Sequence, residues 1–217
     1  MPRLLLLLPV LIICLTACGP GYEARTETDD LGFRKEFSVD EAGVRQGVLR
    51  EYDAAGHLLV EEHYTDGELN GPRLVYDASG QLLAEENMEM GRYAGTYRGY
   101  AADGTLSITG EYTDGAMNGL WYAYYPNGTL QKEMTFRNND QHGPVRQWYP
   151  DGTPELSGHW KDGEDFHGPL IRYDSTGQLE RVLDCALNRG CRTVWTPDSS
   201  FAMPVAEVDM EKPGGEF

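Results

Sequence analysis

Basic residues are scarce in this chain: 18 Lys and Arg stand against 35 Asp and Glu, for a formal charge of −17. Such a surface repels nucleic acid and anionic headgroups, which excludes DNA, RNA and charged lipid as electrostatic partners. The acidity suits the solubility of a sheet with much exposed surface, or alternatively a basic partner. Signatures of chemistry are missing as well. There is no HExxH, no GxSxG and no phosphate-cradling glycine loop. Neither EF-hand spacing nor the glycine–aspartate nonapeptide of calcium-binding β-rolls occurs, so no catalytic residue, no metal and no cofactor is expected. The five histidines are His57, His63, His142, His159 and His167. His142 and His167 precede glycines, where Asn70 and Asn118 stand elsewhere, and turn chemistry accounts for them. The paired carboxylates Glu61-Glu62 and Glu85-Glu86 read as a solvated face rather than as an acid and a base.

Long apolar runs are absent but for one, Leu4 to Leu15, which follows Arg3. A dozen residues is the length of a signal-peptide core and falls short of the roughly 20 that span a bilayer. The run ends in Leu15-Thr16-Ala17-Cys18-Gly19. This resembles the bacterial lipobox, which implies diacylglyceryl transfer to Cys18, cleavage before it and acylation of the new amino terminus. Two or three chains anchor a protein essentially permanently, where one binds marginally. The alternative is an ordinary signal cut at Ala17. Gly19, in place of Asp, favours the outer over the inner membrane. Without Arg3 the mature charge is −18.

Cysteine is also rare. Cys14 leaves with the signal and Cys18 is the lipid site, so Cys185 and Cys191 remain. An even pair in an exported domain reads as a disulfide, with free thiols or half a metal site as the alternatives.

What the sequence has in abundance is glycine, in register. Copies of 24 residues begin at Gly47, Gly71, Gly95, Gly119, Gly143 and Gly168, with one insertion in the fifth and an incomplete copy from Phe33 to Gly43 in front. Five residues into each copy stands Tyr52, Tyr76, Tyr100, Tyr124, Trp148 or Tyr173. Nine residues in stands Gly56, Gly80, Gly104, Gly128, Gly152 or Gly177, and two residues later Leu in all copies but the fifth, which has Pro154. A third glycine column holds Gly67, Gly91, Gly115 and Gly163. Two short Tyr-, Leu- and Val-rich runs separated by such glycines make one hairpin per copy. A glycine every dozen residues would break any helix of useful length. The Asp-Gly and Asn-Gly pairs at 66–67, 103–104, 114–115, 127–128, 151–152 and 162–163 fit primed hairpin turns. The expected fold is all-β: a single extended antiparallel meander of β-hairpin repeats, closed by a disulfide-bearing C-terminal cap. The fifth-position aromatics should form a ladder across strands.

The unit Gly119-Leu-Trp121-Tyr-Ala-Tyr124-Tyr-Pro-Asn-Gly128-Thr-Leu130 resembles the MORN repeat variant, and the likeness runs over about residues 33–184. Bacterial proteins with such arrays are commonly named after toxin–antitoxin antitoxins. The resemblance implies hairpin arrays that bind proteins, with no shared catalytic residue. The expected organisation is a signal peptide (1–17), a lipidated cysteine and flexible stalk (18–31), the array (32–184), a cap (185–203) and a disordered tail (204–217). Trp121, Tyr122, Tyr125, Trp148 and Tyr149 form either an open interaction face or packing within the sheet. The expected role is a non-enzymatic, membrane-anchored envelope module that binds or scaffolds a protein partner. The alternatives are an immunity lipoprotein that neutralises a toxin, or a glycan-binding ribbon using the aromatic face.

Overall fold

Where glycine recurs, the chain reverses. The computed structural model describes residues 21–187, 189–200 and 202. The first strands are β1 (Glu23–Thr28), β2 (Arg34–Val39), β3 (Arg45–Tyr52), β4 (Leu58–Thr65), β5 (Glu68–Tyr76) and β6 (Leu82–Glu89). Next come β7 (Arg92–Tyr93), β8 (Gly95–Tyr100), β9 (Leu106–Thr113), β10 (Ala116–Tyr124), β11 (Leu130–Arg137) and β12 (Asp140–Trp148). The last are β13 (Pro154–Lys161), β14 (Asp165–Phe166), β15 (Gly168–Tyr173), β16 (Leu179–Ala186) and β17 (Gly190–Trp195). Together they form one open antiparallel sheet of 17 strands with no helix among the described residues. Each strand pairs with its sequence neighbour, as the repeat predicts. The pairs β7–β8 and β14–β15 are each one strand interrupted at Ala94 and His167, both halves lying against the same partner.

Two kinds of turn alternate along the ribbon. At Asp66-Gly67, Asp114-Gly115 and Asp162-Gly163 both residues have positive φ, from 52° to 83°, as a type I′ turn requires. Asp103, Asn127 and Asp151 behave otherwise. There only the glycine is left-handed, the amide of Gly104 donates to the carbonyl of Ala101, and that of Ala101 to the carbonyl of Thr105. These three turns, expected to be primed, are instead type I turns closed by a glycine bulge. The extra residue shifts the register just before the fifth-position aromatic, between Glu51 and Tyr52 and between Gln147 and Trp148.

An aspartate holds the bulged turns from inside. Asp53, Asp77 and Asp174 each accept two backbone amides with one carboxylate oxygen. Asp103 and Asp151, two positions later in their copies, accept one. Asp29 does the same work before Gly32. The chain around it, expected to be a flexible stalk, forms β1 and pairs with β2 over six residues. The reason is register: Asp29 and Gly32 lie 24 residues before Asp53 and Gly56.

Among the described residues, buried apolar side chains gather in two clusters, with Leu170, Ile171 and Val182 buried outside both. Phe37, Val39 and Leu49 pack with Tyr64, while Trp121, Met134 and Val145 are surrounded by Tyr97, Ile108, Tyr112, Met117 and Phe136. Edge-to-face ring contacts tie the second cluster together, at 5.2 Å between Tyr112 and Trp121 and 6.0 Å between Trp121 and Phe136. Trp121 can lie flat across β9 because position 110 is glycine; a Cβ there would overlap the indole. Between the clusters, Arg73 occupies the repeat position that holds Leu49 and Trp121. It pairs with Glu62 at 2.8 Å and Glu86 at 2.6 Å, so a salt-bridged triad divides the core.

Candidate interaction surface

The pleat sends alternate residues to opposite faces, so Trp121 and Tyr122 part company. Trp121 is 1 % exposed in the second cluster, and Trp148 is 1 % exposed as well. The open aromatic face expected from Trp121, Tyr122, Tyr125, Trp148 and Tyr149 is therefore not formed. Tyr125 and Tyr149 join one copy to the next: their hydroxyls donate to the carbonyls of Trp148 and Tyr173, at 3.0 and 3.1 Å. Asn127 adds a third such link, to the carbonyl of Pro150 at 2.9 Å. Burial raises the pKa of the Tyr149 phenol, and Glu155 adds to the shift. Of the five, Tyr122 lines an outer recess, and its phenol is also pushed up by burial and by Glu133.

The glutamate pairs split between the faces too. Glu61 and Glu85 meet Arg50 and Arg98 on one side, whereas Glu62 and Glu86 close on Arg73 on the other. The Glu86 side chain is 9 % exposed, so the solvated face expected for these carboxylates applies to Glu61 and Glu85 alone. Burial opposes the charge on Arg73, but hydrogen bonds from its guanidinium to Glu62 and Glu86 hold its pKa above the ordinary value.

In three copies the side chain before the repeat-opening glycine caps the type I′ turn that follows it. Gln46 accepts from the amide of Asp66, Asn118 from that of Asn138, and His142, through Nδ1, from that of Asp162. His142 is thus a turn residue, as its position implies. His57 Nδ1 lies 2.8 Å from Asp53, holding the Asp53 carboxyl below its usual range, and His63 Nδ1 lies 3.0 Å from the carbonyl of Pro72. Among the described residues no three His, Cys, Asp or Glu side chains are placed to share a metal ion.

Cys185 and Cys191 are bonded to each other as cross-strand neighbours on β16 and β17. Cys18 and the segment expected to be a signal peptide (1–17) lie outside the described residues, as does the expected tail (204–217).

Among the described residues, one grooved surface is the outer face of β5, β6, β8, β9 and β10. One recess of about 380 Å³ is lined by Pro72, Leu74, Glu85, Asn87, Thr96 and Arg98. A second, of about 220 Å³, is lined by Thr96, Arg98, Leu106, Glu111, Leu120 and Tyr122. Leu120 is 45 % exposed on its rim. Of these residues the sequence had singled out only Tyr122, as part of an aromatic face, and Glu85, as a solvated carboxylate; the columns of the others mix Val, Pro, Thr and Leu, or Arg, Leu, Tyr and Ile. A usable signal exists in hindsight: Leu74 and Tyr122 interrupt a column that carries Arg50, Arg98 and Arg146 in the first, third and fifth copies and Ile171 in the last.

The MORN repeat variant family model matches this chain four times, at residues 45–66, 69–89, 117–138 and 141–162. MORN repeats are generally associated with protein or membrane binding. No curated protein matches the chain. The copies beginning at Gly95 and Gly168 fall outside the matched segments yet form the same hairpins, β8–β9 and β15–β16.

Proposed function

We propose that this array of MORN-variant repeats is a non-catalytic protein-binding module, held at a bacterial envelope by a lipid on Cys18. The binding half rests on the grooved outer face of β5 to β10, where Leu120 stands exposed beside two shallow recesses. An exposed leucine with half-buried Leu74, Leu106 and Tyr122 around it on a sheet offers apolar area to a partner without a closed cleft. The anchor half rests on the lipobox-like Leu15-Thr16-Ala17-Cys18 after a short apolar run. Gly19 directs the anchor to the outer membrane. Trp121 and Trp148, two of the five aromatics that a glycan-binding face would use, are buried, which favours a protein partner over a glycan.

Two measurements test these halves separately. Expression of the full chain in a bacterial host with radiolabelled palmitate should label the wild type and leave Cys18→Ser unlabelled. An unlabelled wild type overturns the anchor. For binding, immobilised residues 19–217 are exposed to envelope extract and to secreted protein at low and moderate salt. A stoichiometric protein partner that Leu120→Ser releases supports the reading, and a secreted toxin in that role would make the chain an immunity lipoprotein. Retention of glycan alone overturns it.

A further inference from the structure

The two outer recesses are spaced for a particular kind of chain. The first lies over β5, β6 and β8 and the second over β8, β9 and β10, so their centres are two strand spacings, about 10 Å, apart along the ribbon. Thr96 and Arg98 line both, and Arg98 stands between them, tied to Glu85 at 3.2 Å. A ligand filling both must present two side chains on one side, about 10 Å apart, while crossing the strands. In a β-strand, residues on one side recur about every 7 Å, so i+2 falls short of the second recess and i+4, at about 14 Å, passes it. A helix places i and i+7 at about 10.5 Å, but its body, about 10 Å across, would ride on the exposed Arg98–Glu85 pair before reaching the floor. A polyproline II segment has three residues per turn at about 3.1 Å each, which sets i and i+3 on one side about 9 Å apart. It is slim, and its backbone needs no partner strand. Leu74, Leu106 and Tyr122, with Leu120 at the rim, supply the kind of apolar and aromatic lining that receives proline-rich chains.

Charge settles what flanks the apolar residues. Arg98 is the one cation in either lining and is neutralised by Glu85, and Glu86 is held by Arg73, leaving Glu111 beside the second recess in a chain of charge −17. We propose that the outer face of β5 to β10 binds a basic polyproline II segment of a partner protein, with apolar side chains at i and i+3 seated in the two recesses astride Arg98. This rests on the protein-binding reading above and names the partner's chemistry.

The probe is the dye-labelled peptide Lys-Pro-Leu-Pro-Pro-Leu-Pro-Lys, whose leucines are three apart. The control, Lys-Pro-Leu-Pro-Leu-Pro-Pro-Lys, has the same composition with leucines two apart. Fluorescence anisotropy with residues 19–217 should show the first binding at least ten-fold tighter, with affinity falling as salt rises. Leu120→Ser and Leu74→Ser should each weaken it about ten-fold, and Tyr149→Phe, far from the groove, should not. Broadening of the Thr96 and Arg98 amides by a spin-labelled copy of the first peptide locates the contact in the wild type, independently of any variant. Equal binding of the two peptides, or broadening elsewhere, overturns the proposal. If a protein partner is nevertheless captured and released by Leu120→Ser, the binding reading stands and the polyproline assignment alone fails.

Discussion

At the scale of single residues, two positions show how little freedom the repeat leaves. Gly110 is glycine because the indole of Trp121 occupies the space of its side chain. Gly110→Ala should therefore displace the largest buried group of the second cluster and cost about 1–3 kcal/mol, read as a lower urea midpoint. An unchanged midpoint would show that Trp121 is free to move. Met90 is the converse case. It sits at φ 47° in the first position of a type I′ turn, where the other copies carry Asp66, Asp114, Asn138 and Asp162. It is also 64 % exposed, so burial gives it little in return. Asparagine visits the left-handed region more readily than methionine does, so Met90→Asn should stabilise by about 0.5–1 kcal/mol in the same assay. Both positions lie in columns visible in the sequence, but the overlap at Gly110 depends on which neighbour's side chain lies over it, and no column reports that.

At the scale of the hairpin, stability comes from links between copies as well as within them. The Tyr125 and Tyr149 hydroxyls reach the backbone of the following copy, 23 and 24 residues on. Tyr125→Phe and Tyr149→Phe should each cost about 0.5–1.5 kcal/mol, the worth of one hydrogen bond, with ring packing kept. A loss near zero would mean that water replaces the contact without penalty. The turn aspartates act on the same scale. Side-chain and backbone donors at their own turns hold Asp53, Asp77, Asp103 and Asp174 below the ordinary carboxylate range. With the folded pKa depressed, their contribution is present above the unfolded value near 4 and is lost as pH falls through the lower, folded one. Urea midpoints should therefore hold level above about pH 5 and decline below about pH 4. Asn at these four positions keeps an acceptor but does not titrate, so the quadruple variant should show a flatter acid limb. An unaltered limb would place the acid sensitivity elsewhere.

At the scale of the whole molecule, the sheet has two apolar clusters with a charged seam. Glu62, Arg73 and Glu86 satisfy one another there. Arg73→Ala would leave two largely buried carboxylates facing each other. A fully buried pair costs about 3–5 kcal/mol to break; with Arg73 a quarter exposed, about 2 kcal/mol is expected, as a drop in the urea midpoint. In a repeat array each copy touches only its neighbours, so the loss should appear first as amide exchange in β4, β5 and β6. Uniform exchange along the ribbon would mean that the seam does not divide the fold.

The 24-residue spacing of glycine, aspartate and aromatic residues by itself determined the all-β class, the one-hairpin copies, the strand order and the reversal points, because turns are local and only a few residue types tolerate their φ angles. Cysteine count, rather than spacing, pointed to the pairing of Cys185 with Cys191, the two that remain once Cys14 and Cys18 are set aside. The same spacing carried β1, through Asp29 and Gly32, although the missing aromatic there hid it. What only the tertiary structure decided is which aromatics are covered. Trp121 and Trp148 look as available as Leu120 in a linear pattern, and burial depends on the glycine opposite, the bulge that shifts register and the side chains of the next copy. The open groove around Arg98 arose in the same way, from the sum of neighbours on five strands, a quantity that no single column of the repeat contains.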